Sequence, residues 1–362
     1  MNKRKINLLW VNPKIDSMDA GLGVAIDWLE EFSKSVNKIY VITNHLGCYK
    51  PKDNIEVFSL GGEKKLNRLF RFLRFVKIVF KILNSKKIDG CFIHMAPIFA
   101  IIAFPFTFLK RVPIVQWYAH SHSSMPLKIA ERLVHRIVTC SEESVSLKSK
   151  KIYVTGHGVD TNLFVPANSM MSSGRCKSFS TIGRISPVKR IEDIILGLKK
   201  YSVYDKNFYL NIVGGIRDES AKNYKEFLID IVKAEELSNQ INFVGPIKRN
   251  EVIKWLHKSD IFINLSDTDS IDKAILESMS CMVPVITSNL SFKSILTKFA
   301  PWAFIEKSSP DELIDSIKAW QTLSPSKREQ ALSSLRDWVI KEHSLKKLPF
   351  KIIKQFQADK EN

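Results

Sequence analysis

The sequence has few cysteines and no Cys-x-x-Cys pair: Cys48, Cys91, Cys140, Cys176 and Cys281 are scattered and odd in number. That excludes a disulfide framework and a zinc ribbon and fits a reducing cytoplasm. No uncharged apolar run is long enough to cross a bilayer. The longest, APIFAIIAFPFTFL (96–109), is too short and is broken by proline. The opening MNKRKINLLWVNP has a basic head, but its apolar run stops at Asn12 and Pro13, so it reads as a first strand rather than the core of a signal peptide. Internal repeats and low-complexity tracts are also missing. Acid is scarce relative to base: 37 Asp and Glu stand against 55 Lys and Arg, for a net charge of +18. An excess of that size implies an anionic partner, which could be nucleic acid, anionic lipid or a phosphorylated substrate. No nucleic-acid-binding motif accompanies it, so nucleic acid is not the expected partner.

At 362 residues the chain exceeds what one hydrophobic core usually serves, and two domains are expected. Short apolar runs alternate with helical periodicity: INLLWV, KIYVIT, IEVFSL, GCFIH, PIVQW and RIVTC, then FSTIG, FYLNIVGG, INFVG, IFINL and VPVIT. This alternation predicts the α/β class, with two doubly wound Rossmann-like domains facing a cleft. The stretch VPANSMMSSGRCK (165–177) lacks periodicity and is rich in Ser, Asn and Gly, so it reads as the linker. The expected domains are 1–165 and 166–337, with a terminal helix at about 338–362 packing back on the first.

The segment EKKLNRLFRFLRFVKIVFKILNSKK (63–87) predicts an amphipathic helix. At 100° per residue Leu66, Leu69, Leu73, Val76 and Phe80 form a stripe suited to packing on a sheet. Arg71, Arg74 and Lys81 fall on the far side, beside Phe75, Ile78 and Ile82. Those six are the expected membrane-facing residues, because cations flanked by bulky apolar groups suit an anionic interface. A packing helix with a merely solvated basic face is the alternative.

Two stretches carry candidate chemistry. In FSTIGRISPVKRIEDIILGLKKY (179–201), Gly183 follows a strand and lets backbone approach a ligand, with Pro187 near the first turn of the next helix. Arg184 can fork two phosphate oxygens and Lys189 adds a point charge, which together would make a diphosphate cradle; two surface cations on a βα turn are the alternative. In TDSIDKAILESMSCMVPVI (268–286), Asp269 lies in a loop after a strand and Glu277 on a helix that Asp272 caps. Carboxylates suit vicinal hydroxyls, so one acid grips a ribose and the other a sugar, while the N–H groups of Ser270, Ile271, Asp272 and Lys273 face the phosphates. Asp267 and Asp269 spell Asp-x-Asp, but no further oxygen cluster accompanies them, so no metal and no other cofactor is expected. His120 and His122 of AHSH follow strand PIVQW and also read as ordinary loop histidines.

These motifs resemble the retaining nucleotide-sugar glycosyltransferases of family 4, which have the two-domain GT-B fold. The resemblance rests on GHGVDTNLFVP (156–166), GRISPVK (183–189), VGG (213–215), FVGPIKRNEVIKWLHKSDIFINLS (243–266) and the acid–seven–Glu element ending LESMSCMVPVI, in order over roughly 150–290. It implies that Arg184 and Lys189 hold and stabilise the leaving donor diphosphate, that Glu277 binds the ribose and Asp269 the transferred sugar, and that Gly214 lets the donor approach backbone. In the first half it implies that Gly21 and Gly23 form a glycine-rich loop facing the phosphates and that His120 is the active-site histidine. The chain departs from the pattern in three places: Asp269 replaces a glutamate, Ser270 and Asp272 replace glycines, and Met282 replaces the glycine of CGxP.

The implied function is metal-independent transfer of a sugar from a nucleotide sugar to a hydroxyl of a glycan or lipid-linked glycan, in bacterial surface polysaccharide synthesis. The expected location is cytoplasmic and peripheral on an anionic membrane surface. The departures after Asp269 motivate a rival, a degenerate sugar-nucleotide-binding protein without turnover. Charge alone motivates the other, a nucleic-acid-binding protein.

Overall fold

The structure is a computed structural model that describes residues 5–17, 24–120, 123–167, 176–268, 270–306 and 309–357. It divides into two compact units, Met1–Gly158 with Leu345–Asn362, and Val159–Ser344.

The first unit runs β1 (Asn7–Ile15), α1 (Val24–Ser35), β2 (Lys38–Leu46), β3 (Ile55–Ser59), α2 (Arg68–Ser85), β4 (Gly90–His94), α3 (Pro97–Leu109), β5 (Ile114–Trp117), α4 (Met125–Leu133), β6 (Arg136–Thr139) and β7 (Ile152–Val154). Its seven parallel strands are ordered β3-β2-β1-β4-β5-β6-β7. Both faces of the sheet are buried, as continuous apolar strands require. Leu9 and Val11 face one helical layer, while Trp10 meets Phe32 and Phe92 edge-on at 4.9 and 4.7 Å on the other. Pro13 is tolerated in this central strand because the β4 pairing ends at Val11↔Ile93, so its missing N–H costs no ladder bond on that side.

The second unit runs β8 (Ser178–Ile182), α5 (Ile191–Tyr201), β9 (Tyr209–Val213), α6 (Glu219–Ala234), β10 (Ile241–Gly245), α7 (Val252–His257), β11 (Ile261–Asn264), α8 (Lys273–Ser280), β12 (Val285–Thr287), α9 (Lys293–Phe299), α10 (Pro310–Thr322) and α11 (Pro325–Trp338). Its parallel sheet is ordered β10-β9-β8-β11-β12. The last helix, α12 (Leu348–Gln355), belongs to the first unit, where the Phe356 ring just beyond it covers Gly90. Every strand expected from the apolar runs is present. The short β7 was not expected.

Helix α2 forms where its periodicity predicts, but with its two faces exchanged. Phe75, Val79, Ile82 and Leu83 are buried against the sheet and Ile78 packs beside them. Phe75 and Ile82 are therefore core residues and cannot face a membrane, and Ile78 is half-buried. Leu69, Leu73 and Phe80, expected on the sheet, are exposed together with Phe70 and Phe72. The rotation is fixed at the start of the helix. The Asn67 side chain accepts from the Phe70 amide, and half-buried Arg71 donates from Nη1 to Asn44 Oδ1 at 2.9 Å. With Arg71 tied to β2, the row 71, 75, 79, 82 turns inward. Arg74 and Lys81 are exposed, as expected. Among the described residues no helix is long and apolar enough to cross a membrane.

Candidate active site

In a doubly wound sheet the loops that part to either side at the reversal of strand order leave a crevice at the carboxyl ends of the strands. In the second unit the reversal lies between β8 and β11, since β9 and β10 extend one way and β11 and β12 the other. The loops after β8 and β11 carry the residues singled out above.

After β8, Gly183 adopts φ +146° and its amide donates to Val213 O at 2.9 Å. The Lys189 side chain lies over this glycine, with Cε 3.6 Å from where a Cβ would stand. A single 3₁₀ turn (Pro187–Lys189) and a left-handed Arg190, φ +48°, intervene before α5 begins at Ile191. Pro187 thus opens a separate turn rather than the helix itself. Arg184 is exposed and makes no ion pair among the described residues. Gly214, φ +154°, is glycine for a local reason: a Cβ there would stand 1.7 Å from the Gly183 carbonyl oxygen. Backbone crowding between two loops, and not only approach of a ligand, demands it.

After β11, the Asp272 side chain caps α8 by accepting from the Ala274 amide at 3.0 Å. Its other oxygen accepts from Asn264 Nδ2 at 2.9 Å and from Lys189 Nζ in an ion pair. Burial pushes this carboxyl up, but the Lys189 charge and the three hydrogen bonds outweigh it and hold the group below the ordinary aspartate value. The cap is the role expected of the Asp272 side chain; the pairing of its second oxygen with Lys189 and Asn264 was not expected. The half-buried Lys273 follows it, and the Ile271 side chain is buried, which leaves that residue its backbone alone to offer a ligand. Buried Asn289 holds the loop, donating to Ser270 O at 3.0 Å and to Thr268 Oγ1 at 3.3 Å. Asp269 lies outside the described residues.

Glu277 is 2 % exposed on α8 and pairs with Arg249 Nη2. The Arg249 guanidinium also lies 5.4 Å from the Phe164 ring. Neither Arg249 nor Asn289 carries a sequence signal of its own, because each is recognisable only by what it touches. Asp267 pairs with Arg190 at 3.3 Å, and Arg190 also holds Asp193 at 2.7 Å. Among the described residues no group of three or more His, Cys, Asp or Glu is placed to hold a metal.

The remaining candidates belong to the first unit. Gly21, Gly23 and His122 lie outside the described residues. His120 is exposed just after β5, where it bridges Val145. His94 was not anticipated. It ends β4 at the strand-order reversal of this sheet, and its Nδ1 lies 2.9 Å from Asn12 Oδ1 on β1. The signal available was its place as the last residue of GCFIH, at a strand's carboxyl end.

The sequence from 174 to 334 matches the family model described as Glycosyl transferases group 1. A curated relative, a probable sucrose-phosphate synthase of Thermosipho melanesiensis, is 29% identical over 142 residues, 38% of this chain. The match spans about a third of that relative, 32% of its length. Among solved structures, Anabaena HepE in complex with UDP and glucose superposes with a TM-score of 0.76 at 16% identity, covering 98% of this chain and 100% of that one. The sucrose-phosphate synthase of Thermosynechococcus elongatus gives 0.76 at 11%, covering 98% and 99%. The chain thus has the fold of the GT-B glycosyltransferases, and its second unit is matched over residues 174–334 as a glycosyl transferase of group 1.

Proposed function

We propose that the protein is a retaining glycosyltransferase that moves a sugar from a nucleoside-diphosphate sugar to a hydroxyl of a glycan or lipid-linked glycan acceptor. The observation that carries this reading is the pairing of Lys189 with Asp272 across the β8/β11 reversal, beside an exposed and unpaired Arg184. Departure of the nucleotide places negative charge on the diphosphate, and preorganised cations at that position lower the barrier. Arg184 supplies a planar fork with no competing anion. Lys189 has three N–H donors, spends one on Asp272, and keeps two for the phosphate. Asp272 then acts as a positioning residue that fixes the ammonium. With two cations at the diphosphate, the reaction needs no metal.

Glu277 offers the ribose hydroxyls an acceptor that Arg249 holds in orientation, and Asp269 would meet the transferred sugar. The HepE structures hold UDP and UDP-glucose, so a uridine diphosphate sugar is the first donor to try. The acceptor follows from the cations and exposed apolar side chains of α2, which favour a lipid-linked substrate of bacterial surface polysaccharide synthesis at a cytoplasmic membrane surface.

The test is thermal stability of the protein against UDP-, GDP-, ADP-, CMP- and dTDP-linked sugars, with Arg184→Ala and Glu277→Ala beside it. One donor should stabilise the wild type, by about 2.7 kcal/mol at 100 times its dissociation constant, and neither variant. Shifts by no donor would sink the reading. Donor binding without any hydrolysis or transfer would support the degenerate binding protein motivated by Ser270 and Asp272.

A further inference from the structure

The first unit contains a cavity of about 570 Å³ whose lining includes none of the candidate site residues discussed so far. Val112, Pro113 and Ile114 line it where β5 begins, and His135 and Arg136 where β6 begins. It therefore opens at the amino end of the sheet. His120 and His94 stand at the carboxyl end, across the four residues of β5, or roughly 13 Å of strand. Its size is that of a small-molecule site.

Arg111, Arg132, Arg136 and Lys151 line the cavity, and among the described residues no carboxylate does. Lys151 is committed: its ammonium donates to the carbonyls of Glu131, Arg132 and Val134 at 2.7, 3.2 and 3.0 Å, neutralising the end of α4. Arg136 donates to His135 O and lies over the Tyr153 ring at 5.3 Å. Arg111 and Arg132 are exposed and make no ion pair among the described residues. Two forks with free donors thus face one cavity, which suits a phosphate.

The mouth is not that of a site for a soluble anion. Phe108 lines it at 69 % exposure, and Leu109 beside it is 79 % exposed. Phe106 of the same helix meets Phe80 of α2 edge-on at 6.4 Å, so the patch continues onto the exposed apolar face of α2. The sequence from 64 to 130 holds twelve Lys and Arg and one acid, Asp89. Apolar side chains gain nothing from inorganic phosphate, but they do gain from acyl chains beneath a bound headgroup.

We propose that this cavity binds the phosphate of an anionic membrane phospholipid, with Arg111 and Arg132 on the headgroup and Phe108 and Leu109 among the acyl chains. The proposal deepens the membrane part of the reading above and uses no residue of the donor site. The cavity seats the enzyme on the surface at a defined lipid, in addition to the diffuse attraction of its charge.

The experiment titrates the full chain with monomeric dihexanoyl phosphatidylglycerol, dihexanoyl phosphatidylcholine and inorganic phosphate, reading thermal stability. In parallel it sediments the chain with phosphatidylglycerol vesicles. The phosphatidylglycerol monomer should bind, and Arg111→Ala/Arg132→Ala should weaken it by about 30-fold, two charges' worth. Lys77→Ala/Lys81→Ala removes the same charge outside the cavity and should leave monomer binding within about twofold. Phe108→Asp, at an exposed position, places an anion at the mouth and should abolish binding. Equal losses in the two double variants would overturn the site, as would inorganic phosphate binding as well as the lipid. Vesicle binding without monomer binding would also overturn it while sparing the membrane reading; absence of both would end both.

Discussion

At the scale of the residue, the pairs Lys189–Asp272 and Arg249–Glu277 differ in burial, the first being partly exposed on both sides and the second having a buried acid. Asp272 has its folded pKa held below that of an unfolded aspartate, first against burial and then by Lys189, Asn264 and Ala274. Its stabilisation is therefore fully present above the unfolded value of about 3.9 and is lost as pH falls through the depressed folded value. Urea unfolding followed against pH should show that acid loss in the wild type and a shallower one in Asp272→Asn. At neutral pH the substitution should cost about 1.5–3 kcal/mol, the range for losing a hydrogen bond to a charged group in a partly buried pair. A wild type and variant with parallel acid limbs would mean that Asp272 does not hold Lys189. Glu277 has Arg249 in ion-pair contact and is almost fully buried. Arg249→Ala should cost about 3–5 kcal/mol in the same assay, and Arg249→Ala/Glu277→Gln should recover part of it, because the stranded charge is gone. The positions of Arg184 and Lys189 in the loop after β8, and of Glu277 on the helix after β11, were legible in the sequence, since the apolar runs mark the strands and local spacing survives folding. Arg249 and Asn289 were not, because 28 residues separate Arg249 from the acid it meets and nothing local marks it.

At the scale of the element, the strands were legible because an apolar run buried on both faces has one reading. The face of α2 was not. Its apolar side chains surround most of the helix, and the rotation was settled by Arg71 finding Asn44 on β2, a contact invisible to periodicity. Phe75→Ala should accordingly cost about 3–5 kcal/mol by leaving a cavity. Phe80→Ala, at 58 % exposure, should change stability by no more than about 0.5 kcal/mol. Denaturant midpoints for the two variants decide it, and the reverse order would restore the stripe read from the sequence. Gly214 belongs to the same scale, as the point where the loops after β8 and β9 touch. Met282 shows the converse, since it keeps φ +57° without being glycine, so that conformation is compatible with a side chain there. The chain has thus given up a glycine where only φ is unusual, and kept one where the Gly183 carbonyl leaves no room.

At the scale of the molecule, two α/β units and an excess of base were both evident, but charge alone does not choose a partner. The structure separates two kinds of cation. Lys189 is fixed by a partly buried carboxylate at a strand-order reversal, whereas Arg74, Lys77 and Lys81 stand exposed on α2 and make no ion pair among the described residues. Salt discriminates between them, because exposed charges are screened over a Debye length of about 8–10 Å while a partly buried pair is screened far less. Raising salt from 50 to 200 mM should therefore lower retention on phosphatidylglycerol vesicles steeply and leave the donor's dissociation constant within about threefold. A nucleic-acid-binding protein making six to ten phosphate contacts would instead lose about 10³–10⁵ in affinity for a duplex over that range. Any duplex binding to this chain should be weak, insensitive to sequence and displaced by anionic vesicles, because its cations flank apolar side chains that a lipid surface covers and a duplex leaves wet. Tight duplex binding that persists at 200 mM salt and resists the vesicles would reverse the assignment of the charged face from lipid to nucleic acid.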